Sequence, residues 1–114
     1  MEKKALFDAL VAKHEQRERS KHEVKLFQIQ GVGKVEFAKP GEDVLLEYFG
    51  RLSDAANAGD ALALADDMIF DCCPTLQDKA LQDACGVSVP TDIVPALLTI
   101  TERNDLGGEL FDWL

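Results

Sequence analysis

Apolar and polar positions alternate with different periods along the chain, and the longest apolar block runs from Gly59 to Pro74, GDALALADDMIFDCCP. As a helix it opens on Asp60 as N-cap after a turn at Gly59. It stops at Pro74, which lacks the backbone N–H a further turn needs. Leu62, Leu64, Ala65, Met68, Ile69, Phe70, Cys72 and Cys73 cover most of its circumference, while Asp60, Asp67 and Asp71 form a narrow wet stripe. A helix apolar on nearly every side is a central one, so Leu62, Ile69 and Phe70 are expected to be almost inaccessible.

The other elements follow from shorter patterns. Leu6, Phe7, Leu10 and Val11 recur at helical spacing and predict an amphipathic helix from Lys3. Lys13 to Glu23, KHEQRERSKHE, carries no apolar residue, and reads as a charged arm or a frayed extension of that helix. Val24–Gln30 and Lys34–Lys39 flank Gly31-Val32-Gly33 and predict a β-hairpin, with Phe27, Ile29, Val35 and Phe37 on one face. Pro40-Gly41-Glu42-Asp43 opens a helix with Val44, Leu45, Tyr48, Phe49, Leu52 and Ala56 as its inward stripe. Gly59 is expected to close that helix, and Gly50 to mark a close crossing.

Beyond Pro74, Thr75 and Asp78 fit a capping box before a face of Leu76, Ala80, Leu81, Ala84 and Cys85 that ends at Gly86. Thr91 is expected to cap a helix from Asp92 that tolerates Pro95 in its first turn and turns Ile93, Val94, Leu97, Leu98 and Thr101 inward. Gly107-Gly108 predicts a break, after which Leu110, Phe111, Trp113 and Leu114 make an apolar tip interspersed with Glu109 and Asp112. The fold class is therefore mainly α (α+β): a small helical domain of four to five helices with an N-terminal β-hairpin. Its parts are a charged N-terminal helix or mobile arm (1–23), a single helical domain carrying the hairpin (24–106), and an apolar-acidic tip (107–114).

Composition narrows the function class. At 114 residues, 46% of them hydrophobic, the chain builds one core without covalent staples. Three cysteines, two adjacent, do not form a disulfide framework, which points to a reducing compartment. The first residues lack the apolar run of a leader and no stretch reaches the length of a membrane span, so a cytoplasmic location is expected. The net charge of −9 divides into +2 for Met1 to Lys25 and −11 for the remainder. That balance argues against binding nucleic acid or anionic membrane, and favours a basic protein partner.

The search for chemistry finds no site. Cys72, Cys73 and Cys85 lack metal-ligand spacing and read as small buried hydrophobes. His14 and His22 lie in the charged arm, and His22-Glu23 is not followed by the second histidine of a zinc-protease helix. Gly31-Val32-Gly33-Lys34 is too short for a phosphate loop. Asp66, Asp67, Asp71, Asp78 and Asp83 read as a solvated acidic surface. No catalytic, cofactor or metal residue is expected.

Taken in order, the hairpin, FAKPGEDVLLEYFGRLSDA, DMIFDCCP, TLQDKALQDACGV and PTDIVPALL resemble the phage tail assembly chaperone family of long-tailed bacteriophages. The likeness spans Val24 to Leu98 and is carried by Pro40, Leu52, Ile69, Pro74, Leu76, Leu81 and Asp92-Ile93-Val94. It implies a non-enzymatic protein of the host cytoplasm, absent from the mature virion, that binds the tape measure protein and promotes assembly of tail tube protein around it. A homo-oligomer is compatible with that role. The alternative is a small acidic regulatory or inhibitory protein that mimics nucleic acid. For partner binding the residues proposed are Leu110, Phe111, Trp113 and Leu114, because a tip freed by two glycines exposes much apolar surface and tryptophan is enriched in binding hot spots. The competing expectation is that the tip folds back as a short final helix with Trp113 on the chain's own core.

Overall fold

A computed structural model describes residues 2–114 and contains α1 (Glu2–Ser20), β1 (Val24–Ile29), β2 (Gly33–Ala38), α2 (Glu42–Asp54), α3 (Ala58–Cys72), α4 (Lys79–Ala84), α5 (Ile93–Leu97) and α6 (Ile100–Trp113). Short 3-10 turns at Pro74–Gln77 and Pro90–Asp92 lead into α4 and α5. The chain is thus a mainly helical α+β domain with an N-terminal hairpin, as the pattern predicts. The described residues form six α-helices rather than four or five, because the segment after Pro90 splits at Leu98 into α5 and α6.

The hairpin forms where its glycines allow. Gly31 and Gly33 take φ of 82° and 115°, a region closed to most side chains, and Val32 N–H donates to the Ile29 carbonyl. The antiparallel register sets Phe27 opposite Val35 and Lys25 opposite Phe37, which aligns Phe27, Ile29, Val35 and Phe37 on one face. Phe27, Ile29 and Phe37 are buried against the helices, with the Phe27 and Phe37 rings edge to face at 5.3 Å. A two-stranded sheet needs that apolar cover to persist in water.

α3 is the hub. Leu64, Ala65, Met68, Ile69 and Cys72 are buried, and Ile93, Val94, Leu106 and Leu110 join the same core. Ile69 is fully inaccessible as expected, whereas Leu62 and Phe70 remain partly exposed. The cap differs too. Asn57, not Asp60, accepts from the Asp60 N–H, and the Asp60 carboxylate reaches back to Ala56 N–H. α2 consequently ends at Asp54 rather than Gly59.

Other caps are redistributed. Thr75 lies inside a 3-10 turn and Asp78 caps α4 by accepting from Ala80 N–H, so the expected capping box is not formed there. A capping box occurs instead at Thr99 and Glu102, opening α6. On α4, Ala80, Ala84 and Cys85 are exposed, and Gln82 is the buried residue, donating to the Leu76 carbonyl at 3.0 Å.

Gly50 marks no crossing, since a Cβ there would meet nothing within 4 Å. The close approach is at Gly107, where a Cβ would stand 2.6 Å from that of Ala65. Gly107-Gly108 is therefore no break: α6 runs through it, the first glycine letting α6 settle on α3.

α1 stands apart from all this. It buries none of its residues, and the radius of gyration, 17.4 Å, exceeds the roughly 13 Å of a compact chain near this length. The longest dimension, 63 Å, reflects a helix about 28 Å long that projects from the body. Among the described residues no helix is long and apolar enough to cross a membrane.

Candidate functional site

The aspartate stripe of α3 is wet as expected, with Asp60 and Asp71 exposed and Asp67 partly so, and its carboxylates also reach α2 and the turn before α3. Asp67 accepts from Arg51 at 2.6 Å, Asp71 accepts from the buried Tyr48 hydroxyl at 2.6 Å, and Asp60 holds the turn between the helices. Burial, reinforced by the Asp71 carboxylate, pushes the Tyr48 hydroxyl well above its ordinary range, so it stays a proton donor. A groove opens between α2, α3 and α6.

That groove has a volume of about 280 Å³ and is floored by Leu52, Leu64, Ala65, Met68 and Phe111. Gly107 and Gly108 form part of one wall, where the missing side chains leave room. Phe49 and Phe111 meet edge to face at 5.2 Å beside it, and Phe49 and Leu52 remain 49% and 45% exposed. Helix spacing predicts both Phe49 and Leu52 inward; Leu52 instead lines the open groove, and Phe49 stays half exposed with one edge against Phe111. Asp112 stands on the rim, whereas Glu102, Asp105 and Glu109 line a separate cleft between α6 and the hairpin residues Gln28 and Ile29. The one cation of α6, Arg103, is directed inward, its Nε 3.3 Å from Asp66 Oδ1.

The Arg103–Asp66 pair is the feature most removed from expectation. Asp66 reads from sequence as solvated, but its side chain is only 21% exposed and burial raises its carboxyl pKa, with Arg103 opposing the rise. The pair is close without being aligned for a hydrogen bond, so it is an ion contact rather than a full charge-assisted bridge. Helical phase could have flagged it, because Arg103 is four residues from Gly107 and three from Leu106 on the packed face of α6.

The four residues proposed for the partner site are separated by the fold. Leu110 is fully buried in the core, which removes it from any free tip. Phe111 lines the groove. Trp113 donates from its indole N–H to Glu23 Oε1 at 3.1 Å, stacks edge to face on Phe27 at 5.5 Å, and has the Lys39 ammonium 5.3 Å above its ring. Leu114 lines a separate cleft with Arg17, Lys39, Pro40 and Leu45 at the base of α1. The segment 107–114 is thus the end of a docked helix, as in the fold-back expectation, and of the four proposed residues Phe111 alone lines the groove. Glu23 is held below the usual carboxylate range chiefly by the indole hydrogen bond.

The remaining candidates lie where simple packing leaves them. Cys72 and Cys73 are buried, and burial pushes the Cys72 thiol up to about 12, far from a reactive thiolate. Cys85 is exposed, contrary to its expected burial, because α4 ends with it on the outer side. His14 and His22 lie at the surface. Among the described residues no three His, Cys, Asp or Glu side chains come together as a metal site. Comparison with protein-family models, with curated proteins and with solved structures finds no match, so the reading of function rests on the residues themselves.

Proposed function

We propose that this chain is a stoichiometric, non-catalytic binding protein of the phage tail assembly chaperone type, which holds the tape measure protein soluble in the host cytoplasm and promotes assembly of tail tube protein around it. The observation that carries the reading is the open apolar groove between α2, α3 and α6, with Asp112 on its rim. A groove of that lining suits the apolar face of a client helix, with room for a basic residue opposite Asp112. The resemblance over Val24 to Leu98 supplies the identity of the client. The nucleic-acid mimic is the weaker reading, because Asp67 and Asp71 are engaged by Arg51 and Tyr48 and no longer form a free row of carboxylates.

The test is co-expression with the product of the very long gene expected beside a tail tube gene. The reading expects that product to become soluble and to co-purify with this chain in fixed ratio. An insoluble partner, unchanged by the presence of this chain, counts against it.

A further inference from the structure

β1 is an edge strand of a two-stranded sheet, and its outer side is open beside α6. The Lys39 N–H donates to the Glu23 carbonyl, which fixes the phase of the ladder: its hydrogen-bonded pairs fall at Lys25, Phe27 and Ile29. The N–H and C=O of Val24, Leu26 and Gln28 therefore point away from β2, and among the described residues they meet no hydrogen-bond partner. Such an edge is a template for a further strand. α6 runs alongside, with Trp113 on Phe27 and, nearer its start, Glu102, Asp105 and Glu109 in a cleft of about 240 Å³ bounded by Gln28, Ile29 and Gln30. No cation lines that cleft, and Lys34, opposite Gln28 on β2, is not part of it. The three cations after Lys39 are all engaged elsewhere, Arg51 with Asp67, Lys79 with Asp83 and Arg103 with Asp66. On the other face of β1, Val24 and Leu26 are exposed and uncharged.

From these we infer that the open edge of β1 receives an extended basic segment of a partner protein, in which Lys or Arg alternates with an apolar residue. The receiving groups are the backbone N–H and C=O of a strand, so the occupant is extended; a helix spends its own backbone groups internally and cannot pair with them. Side chains of an added strand alternate between the two faces of the sheet. One set lies on the α6 side, where the carboxylates call for cations, and the other lies beside Val24 and Leu26, which call for apolar neighbours. Glu102, Asp105 and Glu109 are spaced about 4.5 and 6 Å apart along the helix axis. Same-face residues of an extended chain are roughly 6.6 Å apart, so two successive basic side chains reach separate carboxylates. The cleft shares no residue with the α2–α3–α6 groove, and the inference therefore goes beyond the client-helix reading and stands apart from it.

The experiment titrates the full, isotopically labelled chain with a short blocked peptide of alternating Lys and Val, and follows the backbone amides by NMR. A peptide of the same composition with its Lys and Val in separate blocks is the control for charge alone. Asp105→Asn combined with Glu109→Gln removes two carboxylates that cap no helix, and Leu26→Pro removes one outward N–H without touching the ladder. Circular dichroism matching the unmodified chain confirms that each variant is folded. The expected result is saturable binding that weakens with salt, with shifted and more slowly exchanging amides at Val24, Leu26 and Gln28. The double variant should bind about three- to tenfold more weakly, as loss of two charge contacts near a surface implies. Leu26→Pro should lose the amide protection. A peptide methylated on one alternating set of its amide nitrogens should fail to bind, while methylation of the other set is tolerated, a readout that needs no variant of the protein. Absence of binding overturns the inference. So does equal affinity for the blocked-order peptide, undiminished binding by the double variant, or shifts centred on Leu52 and Phe111, which would place the peptide in the groove. No client is present in any arm, so failure here leaves the client reading untouched.

Discussion

α1 and the α3–α6 pair are both helical and of similar length, yet one has no buried residue and the other contributes the largest share of the core. α1 has four apolar residues in two turns and then only charged or polar ones, so it offers too little surface to attach along its length. α3 is apolar around most of its girth and α6 meets it through Gly107, where the helices pack without an intervening side chain. The contrast teaches that helix formation and helix docking are separate requirements: local pattern meets the first, and complementary surface at close range meets the second.

The sharpest way to break the contrast is at the hub. Ile69→Ala is expected to lower unfolding free energy by about 2–5 kcal/mol, as removal of buried methyl groups does, measured by urea denaturation. A loss below about half a kcal/mol would remove α3 from the centre. Next, Arg103→Met leaves the Asp66 carboxylate in an apolar site and should cost about 1–3 kcal/mol. The raised Asp66 pKa sets the sign: protonation relieves the burden, so this loss shrinks as pH falls toward the carboxylate range and is largest near neutrality. Equal losses at both ends of that range would mean that Asp66 is not the group left unpaired.

Neighbouring glycines sharpen the comparison within one helix. Gly107→Ala forces a Cβ onto Ala65 and is expected to cost about 1–3 kcal/mol by overpacking, whereas Gly108→Ala meets open space and should be neutral or stabilising. Similar melting temperatures for the two variants would contradict the close crossing. A smaller, local effect is expected at Glu23. Because the indole of Trp113 lowers its pKa, the contact contributes above the ordinary value of 4.5 and is lost as pH falls through the lowered one. Trp113 is the single tryptophan, so its emission should shift in acid in the unmodified chain and show no such step in Glu23→Gln. The least effect is expected on α1, where Leu10→Ala should change the stability of the dilute monomer by less than about 0.5 kcal/mol. A loss comparable to that at Ile69 would show that α1 docks on its own body.

The sequence by itself determined the elements whose causes are local. The hairpin was legible because its glycines sit at the turn and its apolar residues alternate, and α3 because its apolar run ends at a proline. α1 was legible as a helix in its apolar first turns, and its course to Ser20 extends one of the two readings of the charged arm. The helix ends were less legible: Asn57, Asp78 and Thr99 act as caps while Asp60, Thr75 and Thr91 were plausible from type alone. Several short polar residues competed there, and neighbouring packing selected among them.

Tertiary structure alone decided which face of each element has a neighbour. The Asp60, Asp67 and Asp71 stripe has the spacing of a solvated edge and stays largely solvated, yet only the fold shows that Tyr48 and Arg51 of α2 bond to it. Gly107-Gly108 has the composition of a break, but the surface of α3 makes a glycine the condition for contact. Trp113 has the look of a free anchor, and its partner Glu23 stands 90 residues earlier. Spacing along a helix records which residues share a face. It carries no record of what that face meets, because the meeting depends on surfaces distant in sequence that become adjacent only when the chain is folded.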